Sequence, residues 1–244
     1  MSTAALAWRQ FRLERKLFWR NPSAAFFNFM LPLLLLLLVA SVFATKKNEL
    51  DVLIPGIAGM SVMATTFTAL SFNLTFLREQ GILKRMLGTP IPPGAYFAGL
   101  LGNAVVNAFV QVGLVVAIGH LVYDVTWPHD WLELVVFTAV GVVAFGALGI
   151  AFSHAIPNFE AAPAYTNAVF LPAIFISGVF YSTDSLPTAL DAIARALPLK
   201  HVIDGLSDAI VTGRGLGHEL GALAAVAAWG VAGIALAIRF FRWE

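Results

Sequence analysis

Long apolar blocks separated by short polar joints set the pattern of this chain. Between Arg20 and Lys46 lie 25 residues without Asp, Glu, Lys or Arg; Asp51 to Arg78 encloses 26, Glu133 to Glu160 another 26, Glu160 to Asp184 23, and Glu219 to Arg239 19. The interval from Arg85 to Asp124 holds 38, the first part of it a proline-rich joint. A helix needs about 20 apolar residues to cross a bilayer. In lipid every backbone polar group must be satisfied within its own element, so blocks of this length are helices. The pattern predicts an all-α integral membrane protein with six spans, at about 26–44, 52–77, 95–122, 132–155, 161–180 and 220–238. They form a single transmembrane domain over residues 23–244. Pro32, Pro55 and Pro172 fall inside spans and predict local kinks.

Two stretches outside the spans are amphipathic. In residues 1–22, at 100° per residue, Arg9, Arg12, Lys16 and Arg20 share one narrow arc, while Leu6, Phe11, Leu13, Leu17 and Phe18 cover much of the rest. Arg15 and Glu14 sit among the apolar positions and spoil the separation. A basic amphipathic helix lying on the membrane surface is predicted, bound to anionic headgroups of membrane lipid. It ends at Asn21-Pro22, because the residue before proline avoids the α region. The second stretch is 184–213. Leu186, Leu190, Ile193 and Leu197 mark one helical face, Pro198 interrupts, and Val202, Leu206 and Ile210 repeat every four residues until Gly213. Both helices are too short to span, so the pair reads as a re-entrant or surface-lying hairpin before the last span.

Composition agrees with the pattern: 59% of the 244 residues are hydrophobic and 12% charged. A soluble domain carries roughly 25% charged residues. The net charge of +1 matters less than its distribution. Ten Lys and Arg fall on one side of the predicted spans, in the N-terminal segment, the 78–94 joint and the C-terminus; five fall on the other. The excess puts both termini in the cytoplasm of a multi-pass plasma-membrane protein. Tyr123, Trp127, Trp131, Tyr181 and Trp243 stand at span ends, where amphipathic rings prefer the headgroup layer. Val42-Phe43-Ala44 resembles a signal-peptide cleavage site, but the basic segment before the first block is long for an n-region, so the block is read as a retained span. No basic run interleaved with aromatics points to nucleic acid.

The chemistry is sparse. There is no cysteine, hence no disulfide, thiolate metal site or cysteine nucleophile, and no metal site or catalytic residue is expected. None of the five lysines follows a glycine, so no P-loop is present and the chain holds no nucleotide cofactor of its own. His120, Glu133 and His154 are near span ends, which leaves no ion relay in the membrane. The joint after the second span, 78–94, carries Glu79 and Gly81, then Ile82, Leu83, Met86 and Leu87 at helical spacing with Lys84 and Arg85 between them. Gly88, Pro90, Pro92 and Pro93 end that helix. It reads as a short surface helix able to transmit force from a soluble partner, or as an interfacial loop. Within the spans, Asn103, Asn107 and Gln111 share a face of the third, and Ser61, Thr65, Thr68 and Thr75 nearly share one of the second. Such stripes either line a pathway or hydrogen-bond helices together.

These features together resemble the ABC-2 family of exporter permeases: the basic N-segment, six spans, the joint after span two and the hairpin before span six. The most specific stretch is GVFYSTDSLPTALDAIARALPLKHVIDGL, residues 178–206, with Ser177-Gly178-Val179-Phe180, the pairs Leu186-Pro187 and Leu197-Pro198, and Asp204. The family's usual Arg after the Asp-Gly-Leu run is Ser207 here. The resemblance implies a homodimer, or a pair of permeases, joined to two cytoplasmic ATPase subunits that bind ATP and Mg. It implies that Glu79, Gly81, Ile82, Leu83, Arg85, Met86 and Leu87, with the N-terminal helix, contact those subunits. The cargo implied is hydrophobic or amphipathic: a drug, a lipid or a lipid-linked glycan.

Two other classes compete. An ion-driven transporter or channel is disfavoured by the lack of charge inside the spans. An intramembrane protease of rhomboid type needs Gly-x-Ser-Gly, and Ser177-Gly178 is preceded by Phe175-Ile176.

Overall fold

The computed structural model describes residues 2–43, 47–89, 91–183 and 187–240, apart from the side chains of Ala24, Phe43, Lys47, Asn48 and Leu87. The described residues form helices and turns with no strand. In chain order the helices are α1 (Thr3–Arg20), α2 (Pro22–Phe43), α3 (Lys47–Met63), a π-helical segment (Ala64–Thr68), α4 (Ala69–Glu79), α5 (Ile82–Leu87), α6 (Pro93–Tyr123), α7 (Trp131–Ser153), α8 (Ala162–Ile176), α9 (Thr188–Ala196), α10 (Pro198–Ser207), a second π-helical segment (Asp208–Thr212) and α11 (Leu220–Phe240). Five helical runs are long and apolar enough to cross a membrane: Ala25–Val42, Glu49–Glu79, Pro93–Tyr123, Trp131–Ser153 and Leu220–Phe240.

The fifth apolar block behaves differently from its predicted 161–180 run. Its helix, α8, has 15 residues, about 22 Å at 1.5 Å per residue and short of the roughly 30 Å of a hydrocarbon core. The helix stops because the chain turns at Ser177-Gly178, where Gly178 takes φ +78°. That left-handed conformation costs glycine nothing and other residues much. The redirected chain lays Val179 against Gly56 of α3, so closely that a Cβ on Gly56 would stand 2.0 Å from the Val179 carbonyl oxygen.

The second block is one run broken by its π segment. Ser61, Thr65 and Thr66 donate their hydroxyls to the carbonyls of Ile57, Ser61 and Val62. Hydroxyls bonded back to the preceding turn compete for helix carbonyls and loosen the regular ladder. Pro32, Pro55 and Pro172 lie within continuous helices.

The core is built around α7, which packs along α11, α10, α4 and α6. Phe137 and Phe145 of α7 are wholly buried with Ile57 of α3 and Val202 and Leu206 of α10. α9 and α10 form a hairpin whose turn lies at the level of the middle of α11. The Trp229 indole N–H, at the middle of α11, donates to the Ala196 carbonyl in the hairpin turn at 3.0 Å. Ile203 of α10 meets Gly59 of α3, and Val202 meets Gly141 in the middle of α7. The chain then climbs back, and the second π segment accepts hydrogen bonds from the His129 and Asp130 backbone at Ala209. The face holding Asp130 and the second π segment is called the hairpin face below; the opposite one, holding α1, α5 and the ends of α4, α7 and α11, is the terminal face.

Candidate functional site

On the terminal face, α4 ends in two charged residues that hold other helices. Arg78 donates to the carbonyl of Ser153 at 2.9 Å, an orphan acceptor at the end of α7, and to that of Ile156 just beyond it. Glu79 accepts a hydrogen bond from the Phe159 N–H at 2.6 Å, in the segment that leads into α8. The Phe159 ring stacks edge-on against Phe76, 5.3 Å between centroids. Gly81 follows in the left-handed region at φ +65°, with open space where a Cβ would stand. Arg85 folds back onto the carbonyls of Gln80 and Gly81. Leu83 is fully buried, and Ile82 and Met86 are half-buried. The side chain of Leu87, expected in the same group, lies outside the described residues, as does Pro90. Helix α5 is therefore an arm fixed by α4 to the bases of α7 and α8.

Helix α1 lies beside it. Arg9, Arg12, Lys16 and Arg20 are all exposed. Arg15, the residue that broke the amphipathic pattern, turns the other way. Its guanidinium donates to Asn103 Oδ1 at 3.3 Å and to Asn107 Oδ1 on α6, and stacks on Phe18 and Trp19. Gln10 is buried against Gly99, where no side chain would fit, and donates to Glu14 at 2.7 Å. Burial pushes the Glu14 carboxyl above the usual carboxylate range, and the Gln10 hydrogen bond offsets part of that. Between α1, the end of α4, α5 and the start of α6 runs a cleft of about 690 Å³ lined by Leu13, Leu17, Ile82, Met86, Tyr96 and Asn103.

The polar stripe of α6 meets helices. Asn103 and Asn107 hold Arg15, and Gln111, fully buried, donates to the Phe29 carbonyl of α2 at 3.1 Å. The stripe of the second span bonds mostly to its own backbone. Ser61, Thr65 and Thr75 are buried and satisfied within the helix, Ser71 donates to the Gly149 carbonyl of α7 at 3.0 Å, and Thr68 Oγ1 has no partner. No hydrogen bond joins the two stripes among the described residues. In this conformation the geometry of both stripes is that of helix packing.

In the hairpin, Leu197 and Pro198 form the turn, Pro187 precedes α9, and Leu186 lies outside the described residues. Asp204 pairs with Lys200 one turn earlier. The charged group beyond it was not singled out from the sequence. Asp208 is buried and accepts from Arg214 Nε at 2.8 Å, and Arg214 reaches Glu219 at 3.3 Å. Glu133 of α7 is fully buried nearby, with neither oxygen hydrogen-bonded. The four-residue step from Asp204 to Asp208 was the available signal.

A sequence model described as ABC-2 type transporter matches residues 1–211. Among curated proteins, the chain is similar to the inner membrane transport permease YadH of Escherichia coli strain K12, 24% identical over 158 residues that cover 65% of this chain and 61% of that protein. It is 22% identical over 166 residues to the linearmycin resistance permease protein LnrN of Bacillus subtilis strain 168, covering 67% and 43%. It is 29% identical over 154 residues to nodulation protein J of Rhizobium leguminosarum bv. viciae, covering 61% and 57%. These alignments span between 43% and 61% of the relatives' own lengths.

Proposed function

The chain belongs to the ABC-2 type transporter family, and from that premise we propose that it is the membrane-spanning permease of an ATP-driven exporter. Family membership carries the coarser statement: a multi-pass membrane subunit of a transporter, whose relatives are named permeases rather than enzymes. The proposal adds the energy source, the direction and the cargo.

The observation that supports it best is the arm on the terminal face. Lys84 and Arg85 on α5 and Arg9, Arg12, Lys16 and Arg20 on α1 present exposed cations on adjoining helices. Behind them, Arg78 and Glu79 join that surface to the ends of α7 and the start of α8. A soluble subunit pressing on α5 and α1 moves two further helices through hydrogen bonds rather than through a flexible loop. In this reading both termini are cytoplasmic, the five long helical runs cross the inner membrane with the shorter α8 and the chain after it making the sixth crossing, two permease copies pair, and two ATPase subunits bind ATP and Mg. The cargo is a hydrophobic or amphipathic drug, lipid or lipid-linked glycan. The name linearmycin resistance permease, carried by one relative, supports outward movement of the cargo.

The test is co-purification with candidate ATPase subunits from the same organism, followed by ATP-dependent transport in proteoliposomes. Failure of every candidate ATPase to bind, or transport that proceeds without ATP, sinks the proposal. Buried Glu133 is the one observation that favours an ion-driven transporter. Transport driven by a pH gradient in the absence of nucleotide is the outcome that selects that reading.

A further inference from the structure

Beneath the hairpin turn lies an apolar cavity of about 440 Å³. Phe67 of the first π segment, Phe152 of α7, Val169 of α8, Leu199 at the hairpin tip, and Trp229 and Phe240 of α11 line it. The roof is the hairpin turn itself, pinned by the Trp229 hydrogen bond to the Ala196 carbonyl. From Trp229 to Phe240 is eleven residues of α11, about 16 Å of helix and close to half of a hydrocarbon core. The cavity therefore occupies one leaflet, on the terminal face. It opens sideways, since Val169, Trp229 and Phe240 keep 39%, 37% and 47% of their surface.

Its lining excludes most ligands. Among the described residues, the polar side-chain groups along it are His154, at the end of α7, and the Trp229 indole N–H, which is spent on the Ala196 carbonyl. A sugar, an ion or a peptide would leave its polar groups unpaired there, at high cost. An apolar lining offers water few hydrogen-bond partners, and the volume falls in the range of specific ligand pockets. At that depth the available apolar matter is lipid chain. The mouth carries a cation: Arg239 is exposed, its guanidinium 5.7 Å from the centre of the Phe240 ring. Basic groups at the membrane edge of such a pocket hold anionic headgroups.

We propose that this cavity is a binding site for one acyl chain of an anionic phospholipid from the terminal-face leaflet, with the headgroup phosphate held at Arg239. The site lies within one protomer and is independent of the exporter reading: the lipid binds whether or not an ATPase is present.

The experiment uses the full chain in nanodiscs containing phosphatidylglycerol or phosphatidylcholine with a diazirine on the acyl chain, and maps crosslinks by mass spectrometry. Crosslinks are expected on Phe152, Val169 and Trp229 above the level on Leu31 and Leu38, exposed residues of α2. Ala173→Phe, which fills the cavity, lowers the cavity crosslinks by about tenfold, the worth of roughly two displaced methylenes, and leaves Leu31 and Leu38 unchanged. Arg239→Ala, which leaves the cavity intact, lowers the preference for phosphatidylglycerol by about fivefold. Equal labelling of α2 and the cavity, or labelling that survives Ala173→Phe, overturns the site. Equal labelling by both headgroups overturns the role of Arg239. The chain has no cysteine, so Val169→Cys also reports on a second copy. Disulfide-linked dimers with no cavity crosslinks show that a protein fills the groove, and the proposal falls.

Discussion

Glu79 and Phe159 stand 80 positions apart in the chain, yet the Glu79 carboxylate accepts the Phe159 backbone N–H at 2.6 Å. The contact joins the end of α4, and through it the surface helix α5, to the segment that starts α8. A carboxylate contacting a partner subunit and a carboxylate tethering α8 make different demands on the residue. Gln keeps an acceptor oxygen for Phe159 and loses the charge; Ala loses both. If the tether is what matters, Glu79→Gln retains most ATP-driven transport and Glu79→Ala loses about tenfold, the upper range of coupling through such contacts. Because Glu79 is exposed, both variants should lie within about 1 kcal/mol of wild-type stability. Hydrogen exchange at Phe159 supplies a readout independent of transport, fast in Glu79→Ala and slow in Glu79→Gln. Equal loss in both variants means that the charge, not the tether, carries the role.

Arg15 docks α1 onto α6 through Asn103 and Asn107. Hydrogen bonds to a charged group are worth about 1.5–3 kcal/mol, so Arg15→Ala should destabilise the protein by that order and free α1 for proteolysis. Arg15→Lys should rescue only part, since an ammonium can replace the one guanidinium nitrogen that serves both amides but not the planar face stacked on Phe18 and Trp19. Lys16→Ala, at an exposed neighbour, is the control and should leave the melting temperature in detergent unchanged. Equal melting for all three variants contradicts the docking role.

The helical, membrane-spanning character of the fold was legible because hydropathy acts over 20 residues at a time and needs no knowledge of partners. Partners were the illegible part. The face shared by Asn103, Asn107 and Gln111 is visible in their spacing, but the groups it meets, Arg15 and the Phe29 carbonyl, are not. Arg15 was itself visible as the blemish in an otherwise basic-out, apolar-in helix, and a residue that breaks a pattern is where a tertiary partner should be sought. Backbone partners leave even less trace: nothing in the sequence marks Phe159 N–H as the target of Glu79. The early end of α8 escaped for another reason. The apolar block continues to Phe180, and hydropathy does not register the left-handed turn at Gly178.

Gly56 and Gly113 separate close approach from mere helical glycine. A Cβ on Gly56 would stand 2.0 Å from the Val179 carbonyl oxygen, backbone that cannot rotate away, whereas nothing lies within 4 Å of one on Gly113. Gly56→Ala should cost about 1–3 kcal/mol, as overpacking does, and displace the chain that follows α8. Gly113→Ala should be neutral or gain up to about 1 kcal/mol, because glycine in a helix interior is the weaker choice. Thermal unfolding of both variants in the same detergent decides the matter, and a Gly56→Ala protein as stable as wild type removes the close approach from the account of why α8 ends where it does.

Glu14 gives α1 a pH dependence whose sign follows from its surroundings. Burial holds its carboxyl above the usual carboxylate range, more than the Gln10 hydrogen bond lowers it. The folded state therefore binds the proton more tightly than the unfolded chain. Stability from this group is fully present below the unfolded value of 4.5 and declines as pH rises through the folded one. Glu14→Gln keeps an acceptor for Gln10 Nε2 and carries no charge to desolvate. The variant should match the wild type in acid and melt at a higher temperature near neutral pH, with the gap opening upward from about pH 4.5. Other groups titrate in the same window, so the informative quantity is the difference between the two proteins at each pH. A difference that stays flat from pH 4 to pH 8, or that widens toward acid, contradicts the burial of Glu14 at the α1–α6 contact.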